Sequence, residues 1–166
     1  MRVVDLNGKD HWSLKGIRQR YADYARQCHV DTLAELQPTQ HSDGETTWIY
    51  PVLEQVFAAL ALGDAACVEL AIDLVCDDAR FTFGKNYKDR AATLLRRVAL
   101  SPAQQDRLRR RIVSVLYAGT IPPEYRCYAK LLRSIGLGPY RACLDSVVPR
   151  GPRVRRYLAY FRSFAG

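Results

Sequence analysis

Apolar residues recur with a helical period along most of this chain, and the clearest run lies in mid-sequence. Tyr87, Ala91, Leu94, Leu95 and Val98 fall at i, i+4, i+7, i+8 and i+11, one face of a helix predicted over residues 86–98. Ser101-Pro102-Ala103-Gln104 then reads as a capping box: the serine caps the next helix, the proline suits its first position, and the glutamine reaches back to the cap backbone. That second helix runs to Tyr117 with Leu108, Ile112, Val115 and Leu116 on one face, and Gly119 stands where a left-handed residue ends a helix. Two amphipathic helices so briefly joined are expected to lie antiparallel, and residues 81–119 are expected to be the unit that organises the rest. At roughly 100° per residue, Arg90 and Arg97 flank the first apolar stripe and Arg107 and Arg111 the matching side of the second, while Arg96 and Arg110 point away.

The remaining elements follow from the same signals. Residues 1–12 are polar and aperiodic; Ser13 caps a helix carrying Leu14, Ile17, Tyr21, Ala25 and Cys28 on one face. A short apolar set, Val30, Leu33 and Leu36, ends at Gln37-Pro38, because the residue before a proline is pushed out of the helical region. Residues 39–45, with Asp43-Gly44, read as a loop. From Thr47 onward Ile49, Val52, Leu53, Val56, Phe57 and Leu60 predict a helix with Pro51 in its first turn and Gly63 at its stop. Asp64 caps the next, over 65–77, which is apolar almost all round and therefore expected to be central. Pro122-Pro123 precede a helix with Tyr125, Tyr128, Leu131, Leu132 and Ile135, ended by Gly136; Gly138-Pro139 open a shorter one with Tyr140, Leu144 and Val147. After a break at 149–152, a last helix carries Val154, Tyr157, Leu158 and Phe161, to be read either as the final core helix or as a basic helix lying on a membrane surface. No stretch reads as a strand. The expected fold is all-α, with about seven to eight helices in one domain: an N-terminal helical segment (1–45), a stack of helix pairs (46–148) and a C-terminal helix (149–166).

Helix pairs beginning near Thr47, Asn86 and Glu124 repeat at about 40 residues. In this respect residues 47–147 resemble a short array of HEAT or armadillo repeats, through Tyr50-Pro51-Val52-Leu53 to Leu74-Val75 and then Lys88-Asp89-Arg90-Ala91 to Val113. The pairs share no residues at equivalent positions, and the first 45 residues fall outside the register. The resemblance implies a binding surface rather than a catalytic site. An irregular helical bundle is the other architecture the pattern allows.

Composition and charge turn this outline toward function. With 166 residues and 48% hydrophobic content the chain can bury a real core, which excludes general disorder. No apolar run approaches the roughly 20 residues that span a bilayer, and the first residues lack the apolar core of a secretion signal, so a cytoplasmic protein is expected. Five cysteines (Cys28, Cys67, Cys76, Cys127, Cys143) contain no Cys-x-x-Cys pair and read as reduced thiols. The net charge of +8 is divided unevenly. Residues 1–83 hold seven Lys/Arg against thirteen Asp/Glu, a net of −6, and residues 84–166 hold eighteen against four, a net of +14. Such an imbalance speaks of partners rather than of fold.

Candidate chemistry is thin. Glu69, Asp73 and Asp77 form a stripe at i, i+4 and i+8, with Asp78 beside it; they either bind a metal or act as acid and base, or face Arg90, Arg97, Arg107 and Arg111 on the neighbouring hairpin. Cys28-His29, His11 and His41 make no chelating spacing. In Phe81-Thr82-Phe83-Gly84-Lys85-Asn86-Tyr87-Lys88 aromatics alternate with lysines ahead of a helix, a pattern that grips an anion or stacks on bases, or else plugs the end of a hairpin. The leading expectation is a non-enzymatic protein without cofactor or metal that engages an acidic protein surface, in an inhibitor or immunity-type role of a small bacterial system. The expected contacts are Lys85, Lys88, Arg90, Arg96, Arg97, Arg107, Arg110, Arg111, Lys130 and Arg133, with Phe83, Tyr87 and Tyr125 as aromatic partners and the Arg153, Arg155 and Arg156 cluster adding charge. The alternative is a nucleic-acid module using the same arginines. No membrane partner is expected, and the oligomeric state is left open.

Overall fold

The most apolar helix of the chain is the pivot of its fold. Helix α3 (Ala65–Cys76) buries Ala66, Cys67, Val68, Leu70, Ala71, Ile72, Leu74 and Val75, so it presents apolar surface on nearly every side and must be enclosed. In the computed structural model, which describes residues 2–78 and 84–164, four helices enclose it: α1 (Leu14–Gln27), α2 (Leu53–Ala61), α4 (Gly84–Leu95) and α5 (Pro102–Ala118). A second layer follows, in which α6 (Tyr125–Ile135) packs on α4 and α5, and α8 (Pro152–Arg162) packs on α6 and on the short α7 (Arg141–Asp145). Three-residue 3-10 turns at Asp10–Trp12 and Gly138–Tyr140 lead into α1 and α7. The molecule is a helical bundle with eight α-helices among the described residues.

Several helix ends lie where local chemistry places them. Ser13 accepts from the Gly16 amide at 3.1 Å and Asp64 from the Cys67 amide at 2.9 Å. Both arms of the Ser101/Gln104 capping box form, and Gly119 ends α5 with φ of 77°. Within α1, Gly16 permits a close approach: a Cβ there would lie 2.5 Å from the Asp10 carbonyl oxygen and 2.7 Å from His11 Cα, so the turn before the helix needs the missing side chain.

Other expectations are corrected. The chain contains a small sheet of order β1-β3-β2, from β1 (Arg2–Asp5), β2 (Gln40–Ser42) and β3 (Thr46–Ile49). β1 pairs parallel to β3 with Val3 opposite Thr47, and β2 pairs antiparallel with His41 opposite Trp48. Residues 46–49, expected in the first turn of a helix, are thus a strand, because Thr46, Thr47, Trp48 and Ile49 are β-branched or aromatic; the helix begins only at Leu53. Val30, Leu33 and Leu36 form no helix. That segment is strapped to α1, with Arg18 Nε donating to the Leu36 carbonyl at 2.9 Å and the Tyr21 hydroxyl accepting from the Ala34 amide at 2.6 Å. The mid-chain pair is not a self-contained hairpin either: α4 and α5 make their main contacts with α3 and α6 rather than with each other. The first helix of the pair is displaced toward the N-terminus, so Val98 lies beyond its end. Helix α8 buries Val154, Leu158 and Phe161 and takes the core-packing reading. No described helix is long and apolar enough to cross a membrane.

Burial of aromatic hydroxyls gives the fold a pH signature. Desolvation pushes the phenols of Tyr21 and Tyr87 up to about 12, and those of Tyr24, Tyr125 and Tyr128 upward as well. A raised folded-state pKa contributes stability that is complete below the ordinary phenol value of about 10 and is lost as pH rises through the folded pKa. Lys88 acts in the opposite sense. Desolvation lowers its pKa, so its unfavourable contribution fades as pH rises toward the ordinary lysine value. The tyrosines outnumber it, and unfolding is expected to set in above about pH 10, with these phenols ionising steeply as the structure is lost. Tyrosinate absorbance followed against circular dichroism checks this; smooth ionisation of every tyrosine near pH 10 in a protein that keeps its helices would contradict it.

Candidate functional site

Where the cations of the basic half go decides what surface remains. Arg107 spans two carboxylates of α3, with Nη1 2.6 Å from Glu69 Oε2 and Nη2 2.5 Å from Asp73 Oδ1. Asp73 also accepts from Arg20 and, at 2.6 Å, from the Tyr24 hydroxyl, so one carboxylate joins α1, α3 and α5. Gln104 Nε2 donates to Glu69 Oε1 at 2.7 Å. Asp77 accepts from His11 Nε2 at 2.5 Å and from the Trp12 indole at 2.7 Å. The acidic stripe is therefore occupied by the chain's own donors, but of the four arginines expected to face it only Arg107 and Arg111 do: Arg90 pairs with Glu54, Arg97 is in no ion pair among the described residues, and the donors His11, Trp12, Arg20 and Tyr24 come from the N-terminal segment. Among the described residues no group of three or more His, Cys, Asp or Glu is placed to hold a metal.

The remaining expected contacts divide into three sets. Arg90 pairs with Glu54, Arg110 with Asp106 at 2.9 Å, and Arg111 with Asp78. The Asp78 carboxyl is held below the ordinary carboxylate range chiefly by its hydrogen bond from Arg111. A second set is buried: Lys88 Nζ donates to the Asp77 carbonyl at 2.6 Å, Tyr87 packs against Phe57, and Tyr125 is fully enclosed with its hydroxyl donating to the Ile112 carbonyl at 2.9 Å. These three side chains serve the interior. Their apolar bodies sit on the inward faces of α4 and α6, where a flat ring or a long methylene stem fills the core. Phe83 lies outside the described residues. The third set, Lys85, Arg96, Arg97, Lys130 and Arg133, remains exposed.

Two members of that third set stand on a richer site than the sequence alone suggested. On α6, Arg126, Lys130 and Arg133 fall at i, i+4 and i+7, a single exposed stripe. On α8, Arg155 and Arg156 are exposed as well, and none of these five makes an ion pair among the described residues. Between the helices lies a cavity of about 140 Å³ lined by Arg126, Ala129, Lys130, Arg156, Tyr157 and Tyr160. Arg133 lies over the rings of Tyr160 and Phe164, 5.9 and 5.6 Å from their centroids, which fixes one end of the stripe. Tyr157 meets the buried Tyr125 edge to face at 4.7 Å. Lys130 and Arg133 stand among the contacts expected from sequence and Arg126 does not, although Arg126 lies one helical turn before Lys130 on the same face. The contribution of α8 required knowing which helix it packs on.

Two other clefts are open. One beside α1, of about 630 Å³, is lined by residues of mixed sign including Arg26, His29, Asp31 and the exposed Leu33. Another, of about 380 Å³, holds Arg96 among mostly apolar neighbours. Neither gathers charge of one sign. No family model, curated protein or solved structure matches this chain.

Proposed function

We propose that this chain is a non-enzymatic helical binding protein whose basic face, centred on α6 and α8, engages an acidic surface of a protein partner. The observation that carries the reading is that five exposed cations, Arg126, Lys130, Arg133, Arg155 and Arg156, gather on two packed helices with no ion pair among the described residues. The arginines of α4 and α5 play a lesser part, because Arg90, Arg107, Arg110 and Arg111 already hold Glu54, Glu69, Asp73, Asp106 and Asp78. A free guanidinium offers a carboxylate two parallel hydrogen bonds, and unpaired like charges on adjacent helices steer an oppositely charged partner into place. An inhibitor or immunity-type role, in which the bound partner is an acidic effector, accords with a small binder of this form.

Nucleic acid is the competing occupant of the same face, since its phosphates would meet the same cations. The two separate in one experiment. Immobilised protein is expected to retain an acidic protein from native extract after nuclease treatment, and Arg126→Glu with Lys130→Glu to abolish retention without loss of helical circular dichroism. Retention that disappears with nuclease would assign the face to nucleic acid instead.

A further inference from the structure

The cavity between α6 and α8 is built differently from the charged rim around it. Of its lining, Ala129 is buried and small and the rings of Tyr157 and Tyr160 are half-buried, whereas Arg126, Lys130 and Arg156 are exposed. None of the lining residues is acidic. An apolar floor under a cationic rim suits a ligand with the reverse arrangement, apolar at its centre and anionic around it. Interfaces draw most of their energy from such central pockets, with tyrosine and arginine over-represented in them.

We infer that this pocket receives one apolar side chain of an acidic peptide segment, while carboxylates on either side of that anchor pair with Arg126, Lys130 and Arg156. The inference rests on the proposed acidic protein partner and names the feature of that partner the groove selects. A strand of bases fits the site less well. Non-specific single-strand binding needs successive open aromatic faces. Here the Arg133 guanidinium lies over Tyr160 and Phe164, Tyr160 packs edgewise against Phe161 and Phe164, and Tyr157 is engaged by Tyr125. The rings present a walled hollow rather than a stacking platform. Its volume, about 140 Å³, is of the size of a single side chain.

The test uses the whole chain and two labelled peptides, one of glutamates with a single central leucine and one of glutamates alone, with labelled oligothymidylate as a third probe, all followed by fluorescence anisotropy. The leucine peptide is expected to bind at least about tenfold more tightly than the glutamate peptide, the effect of burying one aliphatic side chain. Ala129→Leu, which fills the hollow without changing charge, is expected to remove that difference and leave the weaker binding. Arg126→Ala with Arg156→Ala, a pair of exposed changes that spares the core, is expected to weaken both peptides together. Equal binding of the two peptides to the wild-type protein would overturn the anchor pocket and leave the basic face standing. Binding of oligothymidylate in preference to both would overturn the anchor and the protein partner together, and so would no binding of any probe.

Discussion

Asp73→Ala is expected to lower the unfolding free energy by about 3 kcal/mol, the range seen when one member of a largely buried charge cluster is removed and its partners are left behind. The side chain of Asp73 is only 14% exposed, and it accepts from Arg20, Arg107 and Tyr24, which come from α1 and α5. Alanine would strand Arg20, whose side chain is 22% exposed and whose Nη1 is already without a hydrogen-bond partner. Glu69 would still hold Arg107, which limits the damage on that side. Asp73→Asn keeps the shape and part of the hydrogen bonding, so it is expected to fall between alanine and wild type. Urea unfolding measures both. A loss below about 1 kcal/mol for the alanine variant would place the cluster with ordinary exposed ion pairs and deny it any part in joining α1 and α5 to α3.

Trp12→Ala should cost as much or more, about 3 to 5 kcal/mol. Trp12 is 1% exposed, its indole donates to Asp77 at 2.7 Å, and the Arg20 guanidinium lies 4.6 Å from its ring centroid. It fastens the N-terminal segment to the end of α3. Trp12→Phe retains most of the apolar volume and loses the donor, and is expected to recover about half of the loss. The chain's other tryptophan, Trp48 in β3, then serves as the fluorescent reporter. Near-wild-type stability of the alanine variant would mean that the N-terminal segment is an ornament rather than a part of the core.

Legibility from sequence followed the range of the interactions concerned. Caps are local, so Ser13, Asp64, Ser101 with Gln104, and Gly119 could be read directly and stand where expected. The apolar surround of α3 foretold its central position. Strands of three or four residues are too short for alternation to show, and β1 is joined to β3 across more than forty residues of chain. The signal that existed was local: Asp43-Gly44 stands between Gln40–Ser42 and Thr46–Ile49, a hairpin turn beside a β-branched run. At the site the difficulty was one of pairing. Helical spacing told which faces carried arginine but not which carboxylates would meet them, so the arginines of α4 and α5 read equally as partner contacts or as partners of the acidic stripe, and α8 read as secondary.

The charge imbalance between the two halves of the chain has a meaning beyond recognition. Glu54, Glu69 and Asp78 lie in the first half, and the guanidinium groups that hold them, those of Arg90, Arg107 and Arg111, lie in the second. As the polypeptide emerges during synthesis, the early portion carries surplus negative charge with no counterpart yet made. Only when α4 and α5 have been delivered do these carboxylates find their cations, so the same composition that equips the finished molecule for an outside partner also ties its early segments to its late ones.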